Sequence, residues 1–134
     1  MKTRKTGSRR SLLLGVAAAV SLAVAAASGP RLSFVDDRNE VPIGTMPRDT
    51  TATGEMRIVN TGDSALVINT VFSGCRCARA KYPHEAIAPG DTAVIRVTFD
   101  SHRYYPGAFV RSLSIRSNDK NSPHDFIVSG VIYR

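Results

Sequence analysis

From Ala93 to Phe99 the chain reads Ala-Val-Ile-Arg-Val-Thr-Phe, so Ala93, Ile95, Val97 and Phe99 alternate with Val94, Arg96 and Thr98. Successive side chains of an extended chain point to opposite faces, and this stretch therefore presents one continuous apolar row. The same period of two recurs elsewhere. Gly54, Met56 and Ile58 lie opposite Glu55 and Arg57, Phe109, Leu113 and Ile115 form another row, and Phe126, Val128, Gly130 and Ile132 form a last one. Leu32 to Val35 reads as a first strand, Leu66 and Ile68 face inward, and Val71-Phe72 leads to the cysteines. Arg111 shares the inward parity of its row, which places it near the sheet edge with its charged head in water.

Turn signals punctuate these rows. Asp36-Asp37 ends the first strand, and Gly44 to Asp49 reads as a turn. Asn60-Thr61-Gly62-Asp63 reads as a tight turn between two strands. At Ile87-Ala88-Pro89-Gly90-Asp91 proline pre-sets φ and glycine is free to take φ > 0, and Asn118 to Pro123 forms the last turn. No sustained helical period follows the first 27 residues. About seven strands in about 100 residues point to an all-β, immunoglobulin-like β-sandwich. The chain has no Trp and only two Cys, which are near neighbours, so no Cys…Trp…Cys pin exists and the core must rest on Ile, Val, Leu and Phe.

The N-terminus has a different character. Lys2, Arg4, Lys5, Arg9 and Arg10 precede an apolar run from Leu12 to Ala27 that ends in small residues. This is the three-part pattern of a secretory signal, and residues 1–27 are read as that segment, with 28–134 as the sandwich domain. An uncleaved anchor is the competing reading, although the run is shorter than the roughly 20 residues of a membrane span. Ser8-Arg9-Arg10-Ser11-Leu12-Leu13 partly matches a twin-arginine signal, and a Sec signal fits equally. The expected location is periplasmic or extracellular. Without those five basic residues, 13 remain against 11 acidic ones, a balance of +2 in place of +7. No basic stripe with interleaved aromatics remains, and no nucleic-acid partner is expected.

Chemistry centres on Ser73-Gly74-Cys75-Arg76-Cys77-Ala78-Arg79. On a flat strand, residues i and i+2 lie too far apart for a disulfide, so a Cys75–Cys77 bridge requires a sharp local turn. Gly74 is the residue with the freedom to start one. Three readings stand open: a structural clip, a labile redox pair, or a soft-metal site for Cu(I) or zinc in which His84 joins Cys75 and Cys77. Arg76, Arg79 and Lys81 would stabilise a thiolate here. Common catalytic signatures are missing. Asp100-Ser101-His102 looks like part of a triad, but neighbours on a strand face opposite ways, and Asp100 is read as a strand-ending turn residue. His84, His102 and His124 are read as solvated loop or strand-end residues. The loops expected to meet a partner carry Arg76, Arg79, Lys81, Tyr82 and His84, and Tyr104 and Tyr105.

The succession Ile43-Gly44-Thr45, Met56-Arg57-Ile58-Val59-Asn60-Thr61-Gly62-Asp63, Leu66-Val67-Ile68, Ser73-Gly74-Cys75-Arg76-Cys77, Ile87-Ala88-Pro89-Gly90-Asp91, Ile95-Arg96-Val97-Thr98-Phe99-Asp100 and Ser117-Asn118 resembles the bacterial exported family known as domain of unknown function 1573. That family is similar in turn to immunoglobulin-like sandwiches of the ASH and major-sperm-protein type. The resemblance runs from about Phe34 to Ile132 and implies a β-sandwich outside the cytoplasm with no established activity. The family's usual Cys-Gly-Cys is here Cys75-Arg76-Cys77. The expectation is a non-catalytic exported module, without cofactor, whose partner is another exported or envelope protein. Membrane contact is expected only through an uncleaved N-terminal segment. The alternative is a thiol-redox or Cu(I)-binding protein acting through Cys75 and Cys77.

Overall fold

A computed structural model describes residues 29–134, and the signal expected over residues 1–27 lies outside them. Eight strands follow in order: β1 (Leu32–Phe34), β2 (Glu40–Pro47), β3 (Thr51–Asn60), β4 (Ile68–Ser73), β5 (Ala78–Lys81), β6 (Thr92–Asp100), β7 (Gly107–Ser117) and β8 (His124–Tyr133). One short 3-10 turn, Val35–Asp37, separates β1 from β2. The strands form two four-stranded sheets, ordered β1-β3-β6-β5 and β2-β8-β7-β4. The all-β sandwich expected from the alternation is therefore present, with eight strands in place of about seven.

The rows read from the sequence line the space between the sheets. Ile95, Val97 and Phe99 of β6 and Ile58 of β3 are fully buried, as are Val128 of β8 and Ile115 of β7. Phe99 stacks on Phe109 across the two layers, with ring centroids 4.0 Å apart and planes 5° from parallel. Gly130 makes room for this contact. A Cβ there would lie 2.7 Å from the Phe109 ring and 2.7 Å from the Gly44 carbonyl, closer than real atoms approach.

Two expectations are corrected. Gly44 to Pro47 is not a turn but the second half of β2, which pairs in parallel with β8 from Glu40↔Ile127 to Pro47↔Tyr133, with an irregularity between Pro42 and Gly44. Prolines lack a donor and are tolerated on an edge strand or at a bulge, and β2 is an edge. The segment Asn60 to Asp63 does not join two paired strands either. It carries the chain out of the β3 sheet, and the next strand, β4, belongs to the other sheet. Arg111 keeps its inward parity but is half-buried, its guanidinium 5.1 Å from the Tyr104 ring centroid. The Pro89-Gly90 turn is as expected, with Gly90 at φ 81° and the Asp91 N–H donating to the Ala88 carbonyl.

Two buried polar side chains fix the crossings. Asn60, fully buried, donates from Nδ2 to the carbonyls of Ser64 (2.7 Å) and Ile87 (2.9 Å), and its Oδ1 accepts from the N–H of Gly62 (3.0 Å) and Arg31 (3.3 Å). Asp119, in the β7–β8 turn, accepts from the Leu32 N–H of β1 (2.8 Å), from the Asn121 N–H (2.9 Å) and from His124 Nε2 (2.8 Å). Burial pushes the Asp119 carboxyl up, but the Asn121 and Leu32 amides and His124 together outweigh it and hold the group below its ordinary value.

Truncating Asn60 to Ala removes four hydrogen bonds and leaves the part-buried Arg31 and Gly62 amides and the Ser64 carbonyl without this partner; a loss of about 2 kcal/mol is expected, read as a lowered urea midpoint at unchanged slope. The lowered pKa of Asp119 means that its stabilisation is present above the unfolded carboxyl value of about 3.9 and lost as pH falls through the folded one. Asp119→Asn is therefore less stable than wild type at pH 7, and the gap narrows below about pH 4. A gap that is constant across a pH series of urea titrations contradicts this account.

Candidate functional site

β4 ends at Ser73 on the edge of one sheet, and β5 starts at Ala78 on the edge of the other. The four residues between them, Gly74 to Cys77, carry the chain from one layer to the next. Cys75 and Cys77 are joined by a disulfide within this crossing, their Cα atoms 5.2 Å apart. The local turn that such a bridge needs is built by Ser73. Its Oγ accepts the Cys75 N–H (3.3 Å) and donates to the Cys75 carbonyl (3.0 Å), a short side-chain bridge of the kind serine forms at turns. Gly74, the residue expected to start the turn, is not at positive φ, and a Cβ there would point into open space. The Cys77 carbonyl accepts the Asp100 N–H at 2.7 Å, which ties the loop to the end of β6.

The two sulfurs lie in different surroundings. Cys75 is partly exposed and lines an open groove with Val71, Ser73, Arg76, Ala78, Arg79, Ala80 and Tyr82. Cys77 is only 7% exposed and borders a second groove shared with Arg76, Asp100, His102, Arg103 and Tyr104. Arg76 lines both.

Sequence reading missed how Asp100 and His102 are arranged. The positions i and i+2 share a face where the intervening residue does not, and Asp100 Oδ1 meets both His102 Nδ1 (2.5 Å) and the His102 N–H (2.9 Å). The backbone amide of His102, then its ring, then Arg79 lower the Asp100 pKa against the small opposing effect of burial. Ser101 points the other way. Its fully buried Oγ lies 2.9 Å from the Pro47 carbonyl and 3.0 Å from the Thr50 carbonyl, which share its one proton, and accepts the Thr50 N–H, so it is not the nucleophile of a triad.

The remaining expected residues separate into two groups. Arg76, Arg79 and Lys81 are exposed in and just after the cysteine crossing, and Phe72, near the end of β4, is 61% exposed. Tyr82 is half-buried against the core, with its hydroxyl 3.5 Å from the Asn69 carbonyl, and His84 packs on it with centroids 5.0 Å apart. Tyr104 also packs inward, on Phe99 at 5.6 Å, whereas Tyr105 is 85% exposed. Among the described residues no group of three or more His, Cys, Asp and Glu side chains is placed to hold a metal, so His84 does not join Cys75 and Cys77. A further groove, on the far side, is lined by Asp36, Asp37, Arg38, Glu40, Glu55 and Arg57 and mixes both signs of charge.

Two stacked sheets with these pairings make an immunoglobulin-like β-sandwich. The family model described as "Protein of unknown function (DUF1573)" matches residues 34–132, and the chain belongs to that family. Among solved structures it is similar to a protein of unknown function from Porphyromonas gingivalis W83, with a TM-score of 0.64, 18% identity, and coverage of 81% of this chain and 50% of that one. It is similar also to the ASH/PapD-like domain 7 of human CEP192, with a TM-score of 0.60, 9% identity, and coverage of 81% and 87%. The VesB protease of Vibrio cholerae matches at a TM-score of 0.56 and 10% identity over 77% of this chain and 32% of that one. The chain thus spans half the length of the Porphyromonas protein and a third of the protease. No curated protein matches.

A bridge closing so short a loop restricts the unfolded chain little. Replacing both cysteines by Ser is expected to leave the protein folded and to cost about 1.5 kcal/mol, a fall in Tm of about 10 °C or less. Loss of the cooperative transition in calorimetry would show that the bridge is instead a requirement of the fold.

Proposed function

We propose that the domain is a non-catalytic β-sandwich module, exported to the periplasm or cell exterior, that binds another exported or envelope protein. The observation that supports this reading best is the pair of open edges, β4 and β5, lying on the same side of the sandwich and joined by the cysteine crossing. An edge strand offers unpaired backbone donors and acceptors that a partner strand can complete. Beside these edges stand the apolar Phe72 and the cationic Arg76, Arg79 and Lys81, which favour a partner segment with an apolar anchor and carboxylates. The charged and apolar elements of the N-terminal segment support export, and a bridged cysteine pair suits an oxidising compartment. The same fold forms a portion of longer proteins, among them the protease VesB, as accessory modules do.

The test is site-specific photocrosslinking in a bacterium that encodes the protein, expressed from Met1. A crosslinker at Phe72 or Arg79 should give a discrete adduct with an exported or envelope protein, while one at Asp36 on the far side should not. Arg79→Glu with Lys81→Glu should weaken the purified pair about tenfold, or roughly 1.4 kcal/mol. Retention of the chain in the cytoplasm, or identical adducts from both faces, would overturn the proposal.

A further inference from the structure

The cysteines and Asp100-Ser101-His102 are separate stretches of the sequence, and the fold brings Cys77, Asp100 and His102 to one groove. Cys77 borders that groove, with Arg76 and Arg103 as its cationic neighbours and the hydrogen-bonded Asp100 and His102 beside them. The Asp100 carboxylate engages His102 Nδ1, which leaves Nε2 as the nitrogen available to exchange a proton. On the other side, Cys75 is the sulfur open to approach, in a groove whose cations are Arg76 and Arg79 and which also contains Tyr82. Thiol–disulfide exchange is governed by which sulfur can be reached and by how well the departing thiolate is stabilised. Here the two requirements fall on different cysteines.

We infer that the bridge is a thiol-capturing site, in which an external thiolate attacks Cys75 and His102 assists the departure of Cys77. The incoming thiolate bonds to Cys75 Sγ as the Cys75–Cys77 bond breaks, and the electron pair leaves on Cys77 Sγ. That thiolate is stabilised by Arg76 and Arg103 and takes the proton of the His102 imidazolium, which becomes neutral. The external sulfur is oxidised to the disulfide level and Cys77 is reduced to a thiol. The reverse attack by Cys77 on Cys75 releases the captured thiol and restores the bridge. The exchange is stoichiometric, and its ligand is a cysteine-bearing peptide or a small thiol able to enter the Cys75 groove. It does not rest on the protein-binding reading, because a small thiol serves as the probe.

Reduced glutathione at millimolar concentration is added to the oxidised exported protein under native conditions, the reaction is quenched by alkylation, and the products are mapped by mass spectrometry. Glutathione is expected on Cys75 and the alkyl group on Cys77. His102→Gln, an exposed loop substitution, should slow capture severalfold, because a leaving thiol deprived of its proton donor departs more slowly. The wild-type to variant rate ratio should change with pH, a trend that a purely structural role for His102 does not produce. Far-ultraviolet circular dichroism checks that the variant keeps its sheet. A bridge that stays closed in glutathione, glutathione found on Cys77, or a ratio of one at every pH would each overturn the inference.

Discussion

The stacking of Phe99 on Phe109 is the contact on which the two layers depend. Phe99 belongs to β6 in one sheet and Phe109 to β7 in the other, and the rings lie 4.0 Å apart. Around them the alternate residues of β3, β6, β7 and β8 fill the interior. A shift of one residue in any of these strands would carry its apolar row to the solvent, so the period of two fixes both register and layer at once. Gly130 shows how tight the fit is, since even a methyl group there would collide with the Phe109 ring. The stack also sets the position of the chemistry. Asp100 and His102 follow Phe99 directly, and the amide of Asp100 holds the Cys77 carbonyl.

An apolar interior of this kind specifies layers but not crossings, and the polar groups supply what it lacks. Asn60 uses both ends of its amide on the segment that leaves β3, donating to the Ser64 carbonyl and adding a second donor to the Ile87 carbonyl, which also accepts the Leu66 N–H. Asp119 ties the β7–β8 turn to the first residue of β1, and so joins the sheets at one end. Each is costly to bury and stable only with all its partners in place. The crossing from β4 to β5 is made differently, by Ser73 and a covalent link, and it lies at the surface.

How far all this could be read from the sequence follows from the same division. Central strands such as β6 were legible because an interior on one side imposes a strict alternation. β2 was not, because Pro42, Gly44 and Pro47 look like punctuation, and only its parallel neighbour β8 makes it a strand. Asn60-Thr61-Gly62-Asp63 has the composition of a hairpin turn, and composition does not say whether the next strand joins the same sheet. At the site, the pairing of Cys75 with Cys77 was open and Gly74 drew attention, while Ser73 did the shaping. Asp100 and His102 were discounted on the ground that neighbours alternate. The alternation was correct and excluded only Ser101, whereas residues two apart share a face. The likeness to DUF1573 gave the fold over residues 34–132 and left the chemistry to the residues themselves.

The bridge is then difficult to account for by stability alone. A disulfide removes the most freedom from the unfolded chain where it spans a long loop. Cys75 and Cys77 enclose one residue, in a domain whose interior is already closed by large apolar side chains. Nor does the crossing need it for shape, because Ser73 forms the turn through its own hydroxyl and Asp100 anchors the far end. What the bridge does provide is a fixed orientation. It places Cys75 on the groove beside β5 and Cys77 on the groove that His102 also lines, with Arg76 lining both. A pair of free thiols on so short a loop would lose that distinction, and a single thiol would have no leaving group. The closed bridge thus holds the two sulfurs in unequal roles at the side of the sandwich where both sheet edges are open.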